Sequence, residues 1–185
     1  QEHFNDLVLG TYGRGFWIMD DITPLQQLTD SVLASDVHLF VPRPTYRMHS
    51  IAGGPRAMAR ANINYYLKEI PKGPVNITIR DAQGEIVNIV RGTRNKGINR
   101  ATWSLRHSAA RQAKLRTKPP GNPTVVEEKR FHSQWERQGW YPIISWGTFG
   151  GFSGFMASPG DFTVTLEVGG KEYTQTLEVL KDPRS

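Results

Sequence analysis

The chain contains no cysteine, so it can form neither disulfide bonds nor thiolate metal sites. The absence of cysteine does not indicate the cellular compartment of the protein, because many bacterial periplasmic proteins also lack cysteine. No apolar run approaches the ~20 residues that a membrane-spanning helix needs, and the sequence therefore predicts no such helix. Glycine (18) and proline (12) are plentiful in the 185 residues, which favours a β-rich globular domain with many turns.

The first residues lack both an initiator Met and a signal peptide. Residues 7–10 and 16–19 are short apolar runs bounded by Gly and Asp, and they predict two buried strands joined by a turn. Two strands alone are marginal in water, so this hairpin is expected to need a larger sheet. We therefore expect the chain to be the end part of a longer polypeptide.

A short helix and a linker are predicted next. Thr23-Pro24 is typical of a helix start, with a hydroxyl N-cap and Pro at the first helical position, and the helix is expected to reach about Ala34. A short strand is predicted at residues 37–41. Residues 35–60 as a whole are interpreted as a linker, because Gly53-Gly54-Pro55 lies in a stretch with little periodicity.

Apolar residues alternate regularly from Ala61 onward, and this pattern predicts six or seven short antiparallel strands between residues 61 and 181. Asp81–Gly84 and Gly169-Gly170 predict tight turns between them. Trp103 is expected to face the core. Such strands and turns are typical of a β-sandwich of the immunoglobulin or fibronectin type III kind, so the predicted fold is mainly β.

A long segment, residues 107–158, interrupts the predicted sandwich and carries the candidate binding residues. Residues 91–140 hold twelve Lys and Arg against three Glu, a net +9, whereas the rest of the chain sums to −3. The second half of the insertion is rich in Gly and aromatic residues. Trp, Tyr and Arg are enriched where proteins bind one another and at lipid headgroups. The candidate partner-binding residues are Arg111, Arg116, Arg130, Trp135, Arg137, Trp140, Tyr141, Trp146, Phe149 and Phe152.

Three interpretations of this insertion compete. Nucleic-acid binding is disfavoured because the basic and aromatic halves follow one another without interleaving. A solvated surface loop is the plain alternative. A segment that docks on a protein partner, or on the polar edge of a membrane, is the interpretation that we favour.

The sequence predicts no catalytic, cofactor or metal site. Asp20 and Asp21 are adjacent on a predicted strand and point to opposite faces, so they are interpreted as turn or capping residues. The five histidines have no spacing typical of metal ligands. Residues 10–15 are rich in glycine but lack the Gly-Lys-Ser/Thr ending of a phosphate loop, so they predict a turn.

Five motifs together resemble one known family. They are a strand, Gly-Arg turn, aromatic strand and paired-Asp exit into a Pro-containing helix (residues 7–25); Leu-Phe-Val-Pro-Arg (39–43); Tyr-Tyr-Leu (65–67); Gly-Ile-Asn-Arg-Ala-Thr-Trp (97–103); and Pro-Gly-Asp-Phe-Thr-Val (159–164). The chain resembles the C-terminal region of secreted β-propeller proteins with BNR or sortilin-type repeats, which are often labelled glycosyl hydrolases. The resemblance spans most of the chain but not the insertion.

The resemblance implies an exported bacterial protein, periplasmic or secreted. It assigns residues 1–34 to the end of the last propeller blade plus a short helix, and residues 61–181 to a sandwich. No catalytic constellation of such hydrolases is present, because theirs is gathered from many blades. We expect a non-catalytic binding or scaffold subunit of a larger complex, with membrane-bound respiratory or photosynthetic assemblies as candidate hosts. The alternative is a piece of a carbohydrate-active hydrolase with a sugar-binding appendage.

Overall fold

A computed structural model describes residues 2–3, 5–13, 15–48, 60–109 and 154–183. The described residues up to Ser108 and from Phe155 onward belong to one compact unit. In chain order its elements are β1 (Glu2–His3), β2 (Asp6–Thr11), β3 (Gly15–Met19), α1 (Thr23–Gln26), α2 (Asp30–Ala34), β4 (Val37–Leu39), β5 (Thr45–Arg47), β6 (Ala61–Leu67), β7 (Val75–Arg80), β8 (Ile86–Arg91), β9 (Gly97–Trp103), β10 (Gly160–Val168) and β11 (Lys171–Lys181).

Eight strands form two sheets that enclose one core. The smaller sheet has the order β4-β6-β9 and is antiparallel. The larger has the order β5-β11-β10-β7-β8, in which only β5 runs parallel to its neighbour β11. The prediction of a mainly β fold with a β-sandwich architecture is confirmed. Its assignment to the immunoglobulin or fibronectin III type stays a prediction.

The core follows from the alternation that the sequence shows. Successive strand residues point to opposite faces, so every second residue of β6, β7, β9 and β10 turns inward. The inward residues from both sheets make a single apolar cluster. Trp103 is 1% exposed, as predicted, and lies edge-to-face on Phe162 with ring centroids 5.2 Å apart. Its indole Nε1 donates to the carbonyl oxygen of Arg106 at 2.9 Å, so burial leaves no polar atom of the ring unsatisfied.

Tight turns join the strands where the sequence predicts them. Gly169 and Gly170 both have positive φ, the conformation of a two-residue hairpin turn, and they connect β10 to β11. Between β7 and β8, the backbone N–H of Gly84 donates to the carbonyl of Asp81 at 3.0 Å. Glycine suits these positions because a side chain at positive φ is strained.

The helical segment differs from its prediction. Two short helices replace one, with Thr29 as the N-cap of the second, where its hydroxyl accepts from the N–H of Val32 at 3.4 Å. The first helix begins at Thr23 itself, after Ile22, which contributes no capping side chain. The prediction that Thr23 is the N-cap is therefore wrong. The Thr23 hydroxyl instead accepts a hydrogen bond from the side-chain amide of Asn5 at 3.2 Å.

The stretch interpreted as a linker contains two strands of the sandwich. β4 pairs with β6 in the smaller sheet, and β5 pairs with β11 in the larger one. The chain thus passes from one sheet to the other within residues 40–44, where Pro42 and Pro44 stand. Proline lacks the N–H that a ladder needs, which suits a crossing between sheets.

Tyr65 is a buried residue of the core, and Gly92 packs against it. The Tyr65 hydroxyl donates to the carbonyl oxygen of Thr93 at 2.6 Å. Burial raises the pKa of this hydroxyl above its ordinary value, and its hydrogen bonds to Thr93 oppose that rise. A Cβ on Gly92 would lie 2.5 Å from the Tyr65 hydroxyl oxygen and 2.8 Å from Val75 Cγ1. The glycine is therefore required for packing.

Gly92→Ala is accordingly expected to lower the free energy of unfolding by about 1–3 kcal/mol, the usual cost of overpacking. Gly73→Ala is the matched control, because no atom lies within 4 Å of a Cβ at that position. Urea denaturation followed by circular dichroism measures both variants. Equal stability of the two variants would contradict the packing role of Gly92.

Among the described residues, no helix is long and apolar enough to cross a membrane. Most of the predicted insertion lies outside the described residues. Its described ends meet: the N–H of His107 donates to the carbonyl of Phe155, and that of Ala157 donates to the carbonyl of Leu105, both at 2.8 Å.

Candidate functional site

Strands β1, β2 and β3 form a third sheet, separate from the sandwich, which we call the arm sheet. Its two longer strands pair antiparallel, with Val8 opposite Ile18 and Leu9 opposite Trp17. Gly13 in the turn between them and Gly15 at the start of β3 both have positive φ. The prediction of a strand–turn–strand hairpin is confirmed in these two strands.

Both faces of the arm sheet are apolar. Directly opposed residues share a face, and neighbours along a strand alternate. One face therefore carries Leu7, Leu9, Trp17 and Met19, and the other carries Val8, Phe16 and Ile18. Apolar residues on both faces are typical of a sheet that is covered on both sides.

The arm sheet is nevertheless exposed, so the prediction that its strands are buried is wrong for this chain. Every residue of β3 is exposed, and Phe16 and Trp17 reach 82% and 68%. Leu9, Ile18, Met19 and the turn residue Tyr12 are exposed as well. The sequence pattern predicts burial because it records the polarity of the strands, whereas burial depends on what packs against them.

The chain leaving β3 is anchored on the outer face of the smaller sandwich sheet. Asn64 on β6 and Arg100 on β9 are opposed in register and point away from the core. The side-chain amide of Asn64 donates to Asp21 Oδ2 at 2.8 Å, and its Oδ1 accepts from Arg100 Nε at 2.9 Å. Arg100 Nη2 donates to the carbonyl oxygens of Asp20 and Asp21 at 3.1 and 3.0 Å.

This anchor, formed by Asp21, Asn64 and Arg100, is a polar network in which Asp21 and Asn64 are buried and Arg100 is partly exposed. Asn64 is 3% exposed although it lies on the outer face of its sheet, because residues leaving the arm sheet cover it. Asp21 is buried with φ +57°, a left-handed conformation that Asp tolerates better than most residues. Arg100 Nη2 lies 3.9 Å from Asp21 Oδ2. A charge buried in this way needs its partners, since an unpaired buried carboxylate is costly.

A second set of contacts fixes the arm sheet at the start of β2, where Asn5 and Asp6 lie. Asp6 Oδ1 accepts from the backbone N–H of Asp21 at 2.8 Å and from Arg43 Nη1 at 3.0 Å. The N–H of Ile22 donates to the carbonyl of Asn5 at 2.7 Å. The arm sheet is thus fixed to the sandwich at one end, while its apolar strands extend into solvent.

The acidic residues near the anchor, in the part of the chain that the structure describes, are engaged by polar partners. No group of three or more His, Asp or Glu that could hold a metal occurs there. Asp6 binds an arginine and a backbone N–H, and Asp21 binds an asparagine and lies near an arginine. The prediction that Asp20 and Asp21 lie on a strand is wrong, because β3 ends at Met19. Their role as turn or capping residues stays a prediction.

None of the predicted partner-binding residues can be placed, because all ten lie between residues 110 and 153, outside the described residues. Sequence reasoning missed the anchor. Arg100 is part of the motif of residues 97–103, but that motif did not indicate its contacts. In β6, the sequence does not distinguish Asn64 from Asn62, which is the same residue type on the same face. The difference arises only from what covers each residue in three dimensions.

Comparison of the chain with protein-family models, with curated proteins and with solved structures finds no match.

Proposed function

We propose that the chain is a non-catalytic binding module, a scaffold subunit of a larger protein assembly, and that the arm sheet is the surface that holds its protein partner. The observation that carries this proposal is a sheet with apolar side chains on both faces, exposed to solvent, and attached to the sandwich through a polar anchor. Exposed apolar patches of this kind mark interaction sites.

The energetics favour a partner that covers the arm sheet. Burying one large apolar side chain stabilises a complex by about 1.5–3 kcal/mol. The anchor holds the strands in place before binding, so less conformational entropy is lost when a partner docks. In this proposal the partner is a protein and the assembly lies on the periplasmic side of a bacterial membrane or outside the cell, as the resemblance to exported propeller proteins implies.

Sugar binding, the function of a hydrolase appendage, is less well supported by the arm sheet. Trp17 and Tyr12 could stack on a sugar ring, but β3 consists of Gly, Phe, Trp, Ile and Met and offers sugar hydroxyls only the indole N–H of Trp17. Binding sites combine an apolar surface with a few placed polar groups. The strand supplies the apolar surface and a single donor.

Native mass spectrometry of the chain purified with its partner from its source cells tests the proposal. Ile18→Ser is expected to reduce the recovered partner at least tenfold, since isoleucine at the arm sheet would be covered in the complex. Ile89→Ser is the matched control: it also replaces a strand isoleucine of similar exposure, 56% against 64%, but on the sandwich.

Two outcomes would overturn the proposal. In the first, Ile18→Ser retains the partner fully, or Ile89→Ser loses it to the same extent. In the second, oligosaccharide titration of the purified chain gives a saturable change in tryptophan fluorescence that Trp17→Ala abolishes, which would assign the arm sheet to sugars.

A further inference from the structure

The edge of the arm sheet formed by β3 differs from the sandwich edges that the structure describes. The order β1-β2-β3 leaves β3 with one edge on β2 and one edge without a neighbouring strand among the described residues. Along that edge every second residue presents a backbone N–H and C=O that can pair with another chain. The strand is five residues long.

The edge strands of the sandwich have features that disfavour pairing with a strand of another chain. β4 and β5 are only three residues long, and β5 ends in Arg47. β8 ends in Arg91 and has an irregular register with β7, and β9 carries Arg100. Short strands, charged side chains and bulges are the features by which proteins prevent edge pairing. β3 has none of them: it contains no charge and no proline.

We propose that the partner supplies a β-strand that pairs with the free edge of β3 and extends the arm sheet. This inference rests on the proposed function and specifies its chemistry. The added strand is extended and uncharged, and it has apolar side chains on both sides, because both faces beside it are apolar and a charge there would be desolvated without a counter-charge. Backbone hydrogen bonds give such a complex its affinity, and the side chains give it its specificity.

A second copy of this chain does not fit as well. Pairing β3 with β3 of another copy would join two strips about 17 Å long and about 5 Å wide. A stable interface needs about 800 Å² from each partner. Such a pair would also leave both apolar faces of the arm sheet uncovered, whereas a partner with its own sheet can provide the strand and apolar cover together.

The test uses the full chain and a synthetic probe, the uncharged capped peptide Leu-Val-Leu-Gly-Thr, which copies residues 7–11 of β2. The side chains of this sequence already pack beside those of β3 across its other edge. Amide hydrogen exchange is followed by NMR with up to about 5 mM peptide. We expect every second amide of β3 to exchange rapidly in the free chain and at least tenfold more slowly with the peptide.

A second peptide, N-methylated at the residues equivalent to Val8 and Leu9, has the same side chains but cannot pair along either edge, because adjacent N–H groups point to opposite edges. It is expected to give no protection. Equal protection by both peptides, or protection by neither, would overturn the edge proposal. So would slow exchange of all β3 amides in the free chain, which would mean that the chain covers this edge itself.

Failure of this inference is distinct from failure of the proposed function. If Ile18→Ser releases the partner but β3 amides exchange equally fast in the free chain and in the native complex, the arm sheet binds by its faces alone. If Ile18→Ser also retains the partner, the proposed function itself fails.

Discussion

Trp103→Ala is expected to lower the free energy of unfolding by about 3–5 kcal/mol, the usual cost of removing a large buried aromatic side chain. Trp103 is almost completely buried at the end of β9, contacts Phe162 edge-to-face and donates its indole N–H to Arg106. Truncation removes the ring contact, leaves a cavity between the two sheets, and removes one of the two hydrogen bonds to the Arg106 carbonyl oxygen, which keeps the one from the Asn88 amide. Guanidinium or urea denaturation measures the change.

The matched control is Trp17→Ala, which makes the same substitution in the arm sheet. Trp17 is exposed in the chain alone, so its loss is expected to change stability by no more than about 0.5 kcal/mol. Comparison of the two variants therefore distinguishes a tryptophan that stabilises the core from one that is proposed to contact the partner. A large loss of stability in Trp17→Ala would contradict the exposed position of the arm sheet.

Asn64→Leu is expected to lower the free energy of unfolding by roughly 2–4 kcal/mol and to release the arm sheet from the sandwich. Leucine has a similar volume but can neither donate to Asp21 nor accept from Arg100. The buried Asp21 carboxylate then loses its hydrogen-bond donor and keeps only the Arg100 guanidinium at 3.9 Å, and removing a partner of a buried charged group costs more than the net value of the bond. Hydrogen exchange of the β2 and β3 amides is expected to accelerate.

Asn62→Leu is the control on the same strand and the same face. Asn62 is half-buried, and its Oδ1 accepts from the Thr102 hydroxyl at 3.5 Å, a long bond at an exposed position. Its replacement is expected to cost less than about 1 kcal/mol. Equal effects of the two substitutions on arm-sheet exchange would show that Asn64 has no special anchoring role.

The sandwich was predictable because its strands carry strong local signals. Alternation in β6, β7 and β10 identifies the inward residues directly, and Gly169-Gly170 marks its hairpin, since few residue types adopt positive φ without strain. The segment of residues 23–47 was less predictable. Its helices are a single turn or slightly more, and its two strands are three residues each, too short for a periodic pattern to emerge.

The amino-acid sequence by itself determined which residues alternate, where the chain turns, and that the first two long strands are apolar on both sides. These properties follow from side-chain polarity and backbone freedom, which are local. Only the tertiary structure decided that Asn64 is buried while Asn62 is half-buried, that Arg100 binds the chain leaving β3, and that Phe16 and Trp17 face solvent. Burial is a property of neighbouring segments in space, and the same strand is a core or a binding surface according to whether another sheet covers it.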